Sequence, residues 1–322
     1  MDRRSATAAL LALGLAPLAA RAQAWPARTI KIINPFPPGS PVDVVSRSVA
    51  QALEGGLKQT VIVDYKSGAG GTIGAGEVAR APADGYTLLV TSSSTHVIAP
   101  ALRRQLPYDA TKDFVPVAMI GYGPTVIVVH PSVPVNTLAE FVQFVKANPG
   151  KVSYASSGPG TILHLSGELF AHKTSTQLLH VPYKGAVPAS TDLLGGQVQA
   201  MFDSISNASP QVRAGKLKAL AVLTPERTPL LPGVPTAIEA GFPGLDFPAW
   251  LGVFAPAATP KDVVDRVAAT LQSALVQQEV ASKLMQSGIT PAFTAGDAFR
   301  AKLAADQKLV ADLVKVANVP QQ

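Results

Sequence analysis

Two short stretches set glycine, proline and a hydroxyl residue directly ahead of an amphipathic run: PFPPGSPVD at residues 35–43 and SSGPGTILH at residues 156–164. In the first, Ser40 takes the N-cap position, Pro41 the first helical position and Asp43 the third. That combination starts helices. The first amides of a helix have no partner inside it and carry the positive end of its dipole, so such a start attracts anions as well as capping a helix. Four prolines between residues 35 and 41 stiffen the loop, so binding there costs little ordering entropy. Gly39 lets a ligand approach the backbone. Gly39 and Ser40 are therefore candidate ligand-binding residues. The same residues would also serve an ordinary capped helix after a tight turn.

The second stretch repeats the arrangement. Ser157, Gly158 and Gly160 supply donors, and Thr161 is the expected N-cap of a helix whose buried stripe is Ile162, Leu165 and Leu169. If each stretch opens toward one cleft, a carboxylate is gripped from two sides. Three further strand ends are candidates: Ser92, Ser93 and Thr95 in TSSST, Lys184 and Gly185 ahead of another helix, and Asp203 after QVQAMF. His164 sits in the first turn of its helix and forms an i, i+4, i+8 line with Glu168 and His172. No HExxH motif or carboxylate cluster accompanies the line. His164 is read as a ligand neighbour or as a structural hydrogen-bonding group, and no metal or other cofactor is expected.

Enzyme signatures are missing. GxSxG is absent, as is the phosphate loop GxxxxGK[ST]. SGAGGTIGAG has Ile73 where a dinucleotide loop needs glycine, and it reads as a close-packing loop beside the cleft. The chain contains no cysteine, which removes thiol catalysis and thiolate metal sites.

The N-terminus has a basic start, a broken apolar run and Ala22-Gln23-Ala24, the pattern of a secretory signal peptide over residues 1–24, cleaved before Trp25. The expected mature chain is exported. Removing the three Arg and one Asp of that segment from 27 basic and 21 acidic residues leaves a formal +4. The basic residues are scattered, so nucleic acid is not an expected partner. The small excess suits an anionic small molecule.

The elements that must position these residues alternate. TIKIIN, TVIVDY and GYTLLVTS read as strands, with a helix ended by Gly55-Gly56 after the first and a glycine loop and short helix after the second. A β-α-β-α-β order implies a mostly parallel sheet covered by helices. The pattern restarts after Gly121–Pro124 and passes through strands in KVSYAS, LLHVPY, QVQAMFDS and KLKALAVLT. A second crossing is expected at residues 248–250, and two helices over 261–286 and 295–317 close the chain. The expected fold is α/β: a discontinuous domain 1 of residues 25–124 plus 250–322, and an inserted domain 2 of residues 125–249. A cleft separates the domains and the two crossings act as hinges.

Six segments in order carry a family resemblance: WPARTIKIINPFPPGSPVD, GAGGTIGAGEVARAPADGYTLL, YDATKDFVPVA, YASSGPGTILHLSGELF, HVPYKGAVPASTDLLGGQVQAMFD and PGVPTAIEAGFPGLD. The chain resembles the Bug-type (TctC-like) extracytoplasmic solute receptors, the substrate-binding proteins of tripartite tricarboxylate transporters. The resemblance implies a type II-like periplasmic-binding fold of the Venus flytrap kind. It implies a carboxylate held by backbone groups, hydroxyls and water rather than by an arginine fork, and no arginine stands in residues 37–41, 156–161 or 183–185. Carried over by position, it places the binding loops at Pro38-Gly39-Ser40 with Asp43, Ser92–Thr95, Ser157–Thr161 with His164, Lys184-Gly185 and Asp203. It also implies a periplasmic monomer that delivers its ligand to the membrane components of such a transporter. Ser40 stands where the family commonly has glycine, Ser67 where proline is usual, and Ala186-Val187 where glycines are common. The last change stiffens and enlarges one pocket wall. A ligand-sensing module for a membrane signalling partner would use the same closing motion. A secreted hydrolase or metal enzyme is the rival from another class.

Overall fold

A computed structural model describes residues 25–316 apart from Pro248, together with Val319 and Gln321. The expected signal peptide lies outside the described residues, as does Pro248 within the second expected crossing. Two sheets organise the chain.

The first contains β1 (Ile30–Asn34), β2 (Val61–Tyr65), β3 (Thr87–Ser92), β4 (Phe114–Tyr122), β10 (Trp250–Pro256) and β11 (Thr290–Ala295), in the order β11-β4-β10-β3-β1-β2. The second contains β5 (Thr125–Val129), β6 (Ser153–Ser156), β7 (Leu179–Pro182), β8 (Ala200–Ser204) and β9 (Lys218–Val222), in the order β7-β6-β8-β5-β9. The chain thus passes from the first sheet to the second between Tyr122 and Thr125 and returns between Val222 and Trp250.

The expected mostly parallel sheets are instead mixed. β1 pairs in parallel with β2 and β3, and β6 with β7 and β8. β10 runs antiparallel to β3 and β4, β11 to β4, and β5 to β8 and β9. The crossing explains much of this. β4 carries the chain out of the first lobe and β10 brings it back beside β4, so Trp250 faces Tyr122 with the strands opposed. The two connectors also touch, where the Gly123 N–H donates to the Ala249 carbonyl at 2.7 Å.

Helix α1 (Pro41–Leu57) packs on β1, β2 and β3 through Val42, Val45, Val49 and Leu53, all buried as their spacing predicts. It does not stop at Gly55-Gly56. It continues to Leu57, whose side chain is buried, and Lys58 closes it in the left-handed region at φ 56°. Gly56 has a packing role, because a Cβ there would collide with Thr270. Helix α2 (Thr72–Ala79) follows the glycine loop, and a π-helical turn at Ser94–Ile98 leads into the short helix α3 (Ala99–Leu102).

The second lobe carries α4 (Leu138–Ala147), α5 (Ile162–Thr174), α6 (Ala186–Leu194) and α7 (Ile205–Arg213). The closing region expected as two helices holds three, with a strand between: α8 (Lys261–Leu275), α9 (Gln278–Gln286), β11 and α10 (Gly296–Val316). α10 packs on β4 and α3 of the first lobe and on α5 of the second. It is tied down where the Trp250 indole N–H donates to Asp306 Oδ2 at 2.9 Å.

One contact decides how β6 meets α5. Tyr154 is fully buried, its ring lies against Gly167, and its hydroxyl donates to Glu168 Oε1 at 2.6 Å. A Cβ on Gly167 would stand 2.6 Å from Tyr154 Cζ. Overpacking of this kind outweighs the gain in helix propensity. Gly167→Ala is expected to lower unfolding stability by about 1–2 kcal/mol in urea titrations, with the far-ultraviolet spectrum unchanged. A variant as stable as the parent would show that the ring shifts freely.

Candidate functional site

A cavity of about 540 Å³ lies between the lobes. Ser40, Pro41 and Val42 at the start of α1 line it from one side, and Ser157, Pro159, Gly160, Thr161, Ile162 and Leu163 at the start of α5 from the other. Ser92 also lines it. Five of the expected residues therefore share one space: Ser40, Ser92, Ser157, Gly160 and Thr161.

Both helix starts are built alike. Ser40 Oγ accepts from the Asp43 N–H at 3.2 Å, and Thr161 Oγ1 accepts from the His164 N–H at 3.3 Å. In return, the Gly39 N–H donates to Asp43 Oδ2 at 2.8 Å, and the Gly160 N–H donates to His164 Nδ1 at 3.0 Å. Each is a reciprocal cap linking the loop glycine to the side chain four residues on. Gly39 has a φ of 83°, which favours glycine, and a Cβ there would meet no other protein group within 4 Å.

These caps change the inventory of amides. Internal bonds occupy the N–H groups of Phe36, Gly39, Ser40 and Asp43 in the first lobe. They also occupy those of Gly158, Gly160, Thr161 and His164 in the second. Pro41 and Pro159 have none. Val42, Ser157, Ile162 and Leu163 keep N–H groups without an internal partner, and all four residues line the cavity. Three of these amides stand at the two helix starts and one, that of Ser157, in the loop before α5.

The other expected residues stand behind or beside this wall. Pro38 and Gly39 are exposed on the outer side of their loop, and Lys184 is exposed at the rim, with Gly185 as the N-cap of α6. Asp43 is buried. Its carboxylate accepts from Gly39, from Arg47 Nε at 3.0 Å and from the Tyr65 hydroxyl at 2.7 Å. Burial works to raise its pKa, but these bonds and the Arg47 charge hold it below the usual carboxylate range. Ser93 is buried. Thr95 is buried in a network with Thr91 Oγ1 at 2.9 Å and His96 Nδ1 at 2.8 Å. Gly158 is buried within its loop.

Asp203 is fully buried below the first connector. It accepts from the Ser204 N–H at 2.7 Å and from Asn207 Nδ2 at 2.6 Å, and burial pushes its carboxyl up to about 7. His164 is buried and stacks on His180 with ring centres 4.1 Å apart, and His180 in turn stacks on Tyr154. Burial, with the neighbouring His180, lowers His164 to about 4. Its neutral ring accepts from Gly160 through Nδ1, which puts the proton on Nε2, 3.6 Å from Glu168 Oε1. His172, the last of the i, i+4, i+8 line, is exposed. Of the two readings of His164, the geometry shows the structural hydrogen bond.

Ser94 and Ser204, beside the expected strand-end residues, line it too, and several lining residues were not among those expected: Phe36, Arg103, Ser206 and Trp250. Phe36 stood inside the PFPPGS loop, and Ser206 stood two residues past a named strand end. Arg103 carried a quieter signal. No acidic residue occurs between Asp84 and Asp109, so it has no local partner.

Residues 45–316 match the family described as "Tripartite tricarboxylate transporter family receptor". The chain belongs to that family. The receptor is 37% identical to Protein BugT of Bordetella pertussis over 295 residues, covering 91% of this chain and 90% of that one. Among solved structures it is similar to "R. palustris Rpa4515 with adipate" at 32% identity and a TM-score of 0.75, covering 92% of this chain and 99% of that one. It is also similar to "MatC (Rpa3494) from Rhodopseudomonas palustris with bound malate" at 35% identity and a TM-score of 0.71, covering 90% and 100%.

The receptor's second cap should register acid. The neutral His164 ring contributes stability that is complete above 6.5 and is lost as pH falls through about 4. Asp203 works the other way: its contribution is complete below 3.8 and is lost as pH rises through about 7. A difference between two proteins isolates the histidine. His164→Asn keeps an acceptor for the Gly160 N–H and does not titrate, so its unfolding free energy should fall less steeply than the parent's from pH 6.5 to 4 in urea titrations. Parallel curves would remove His164 from this role.

Proposed function

We propose that this receptor captures a small carboxylate between its lobes and delivers it to the membrane components of a tripartite tricarboxylate-type transporter. The observation that carries the reading is the shared cavity into which the starts of α1 and α5 open, with the Val42, Ile162 and Leu163 amides free of internal partners. A hydrogen bond to a charged group is worth about 1.5–3 kcal/mol, so three amides and the neighbouring serines supply enough for small-molecule affinity after ordering costs. The ligands printed for two similar structures, adipate and malate, agree with a carboxylate.

In this reading residues 25–124 and 250–316 form one moving body and residues 125–249 the other. They close about the connectors at Gly123–Pro124 and Ala249, and the closed form is what the membrane carrier recognises. Asp43 and His164 act by holding the loops, while Ser40, Ser92, Ser157 and Thr161 touch the ligand or its water. Export to the periplasm fits a receptor of this family. Binding without covalent chemistry is favoured because no His, Asp, Glu or Lys lines the cavity among the described residues, so no general base stands ready there.

Ile162→Pro tests the amides directly. Proline suits the first helical position, and Thr161 already has the extended backbone that precedes proline, at φ −79° and ψ 162°. The helix should survive while one donor disappears, weakening a bound carboxylate by about 1.5–3 kcal/mol in calorimetry. Unchanged affinity would remove the α5 amide from the site.

A further inference from the structure

One charged side chain lines the cavity among the described residues, and it is Arg103. It follows α3 in extended conformation at φ −103° and ψ 130°, so it belongs to neither of the capped helix starts. Its surroundings are apolar, because Ile98, Ala99 and Leu102 precede it on the same wall. Gly70 faces it closely, with Arg103 Nη2 3.5 Å from where a Cβ would stand. Arg28, Arg47 and Arg227 each pair with a carboxylate, whereas Arg103 makes no ion pair or hydrogen bond with the described residues. No acidic residue lines the cavity to compensate it.

A partly buried guanidinium without a partner is costly, and the cost grows when a closing cleft takes away its water. Its planar fork matches a carboxylate through two parallel hydrogen bonds. The three free amides of the α1 and α5 starts form a separate anion-seeking feature on the same cavity. The wall also offers the carbon of Phe36, Ile98 and Leu102. We propose that Arg103 holds a second carboxylate of the ligand, so that the receptor selects dicarboxylates with an apolar spacer over monocarboxylates. This rests on reading the cleft as a carboxylate site.

The test is calorimetry on the full mature chain with straight-chain α,ω-dicarboxylates of increasing length and the monocarboxylate of matched length for each. The parent, Arg103→Met and Arg103→Lys are compared, and melting curves without ligand show that the variants fold. In the parent, the best dicarboxylate should bind at least roughly tenfold more tightly than its monocarboxylate. Arg103→Met should lose that margin, roughly tenfold or more for the dicarboxylate, while the monocarboxylate stays within about twofold. Arg103→Lys should fall between, keeping charge without the fork. Equal binding of both series by the parent, or the same loss for both in Arg103→Met, overturns the proposal and leaves the carboxylate site standing. If no acid of either series binds the parent, the carboxylate reading itself falls, and this inference with it.

Discussion

The opening amides of a helix have no partner within it, and this structure depends on how those amides are shared out at two places. In each lobe a hydroxyl residue caps the third amide, and the side chain at that third position reaches back to the amide of a loop glycine. The loops are fixed by these bonds. What is left for a guest is set by what the caps do not use, and by two prolines that remove the possibility of a donor altogether. A stiff loop with few free amides is more selective than a flexible one with many, because a misplaced anion gains little and still loses its water.

The two caps differ in charge. In the first lobe the reaching group is a carboxylate kept ionised by Arg47, Tyr65 and the loop amide despite its burial. In the second it is an imidazole kept neutral by burial and by a second histidine stacked against it. The same backbone geometry is therefore held by an ion in one lobe and by a neutral ring in the other. The neutral cap leaves the α5 start with its positive end unopposed. The ionised cap is balanced by Arg47 on the next turn, so neither loop carries an uncompensated negative charge toward the space between the lobes.

Much of this was legible in residue order, because it is local. Ser40-Pro41-Val42-Asp43 and the spacing of Val42, Val45, Val49 and Leu53 define one helix, and Thr161 defines the start of another. The alternation of strands and helices gave the α/β class, and six ordered segments gave the family. What escaped was non-local. The antiparallel pairs at the centre of the first sheet depend on β10 returning between β3 and β4, more than a hundred residues after β4. The glycine pair at 55–56 reads as a stop, yet α1 continues because Leu57 has a core to enter and Gly56 faces Thr270. The resemblance places Asp43 in the binding loop, but its bond from Tyr65, on a neighbouring strand, is a contact that only the fold brings about. Arg103 was passed over because α3, the turn it follows, is too short to leave a periodic pattern.

The last helix gives the molecule a third mechanical tie. Two strands of backbone join the lobes, bonded to each other at Gly123 and Ala249, while α10 lies across both halves and is anchored by its bond to Trp250 beside that junction. In the closing motion proposed above, a paired strap and a rod would favour one direction of swing over twisting or sideways shear. The lobes would then meet in the same register each time, and a guest that fits only in that register would be recognised by alignment as much as by attraction.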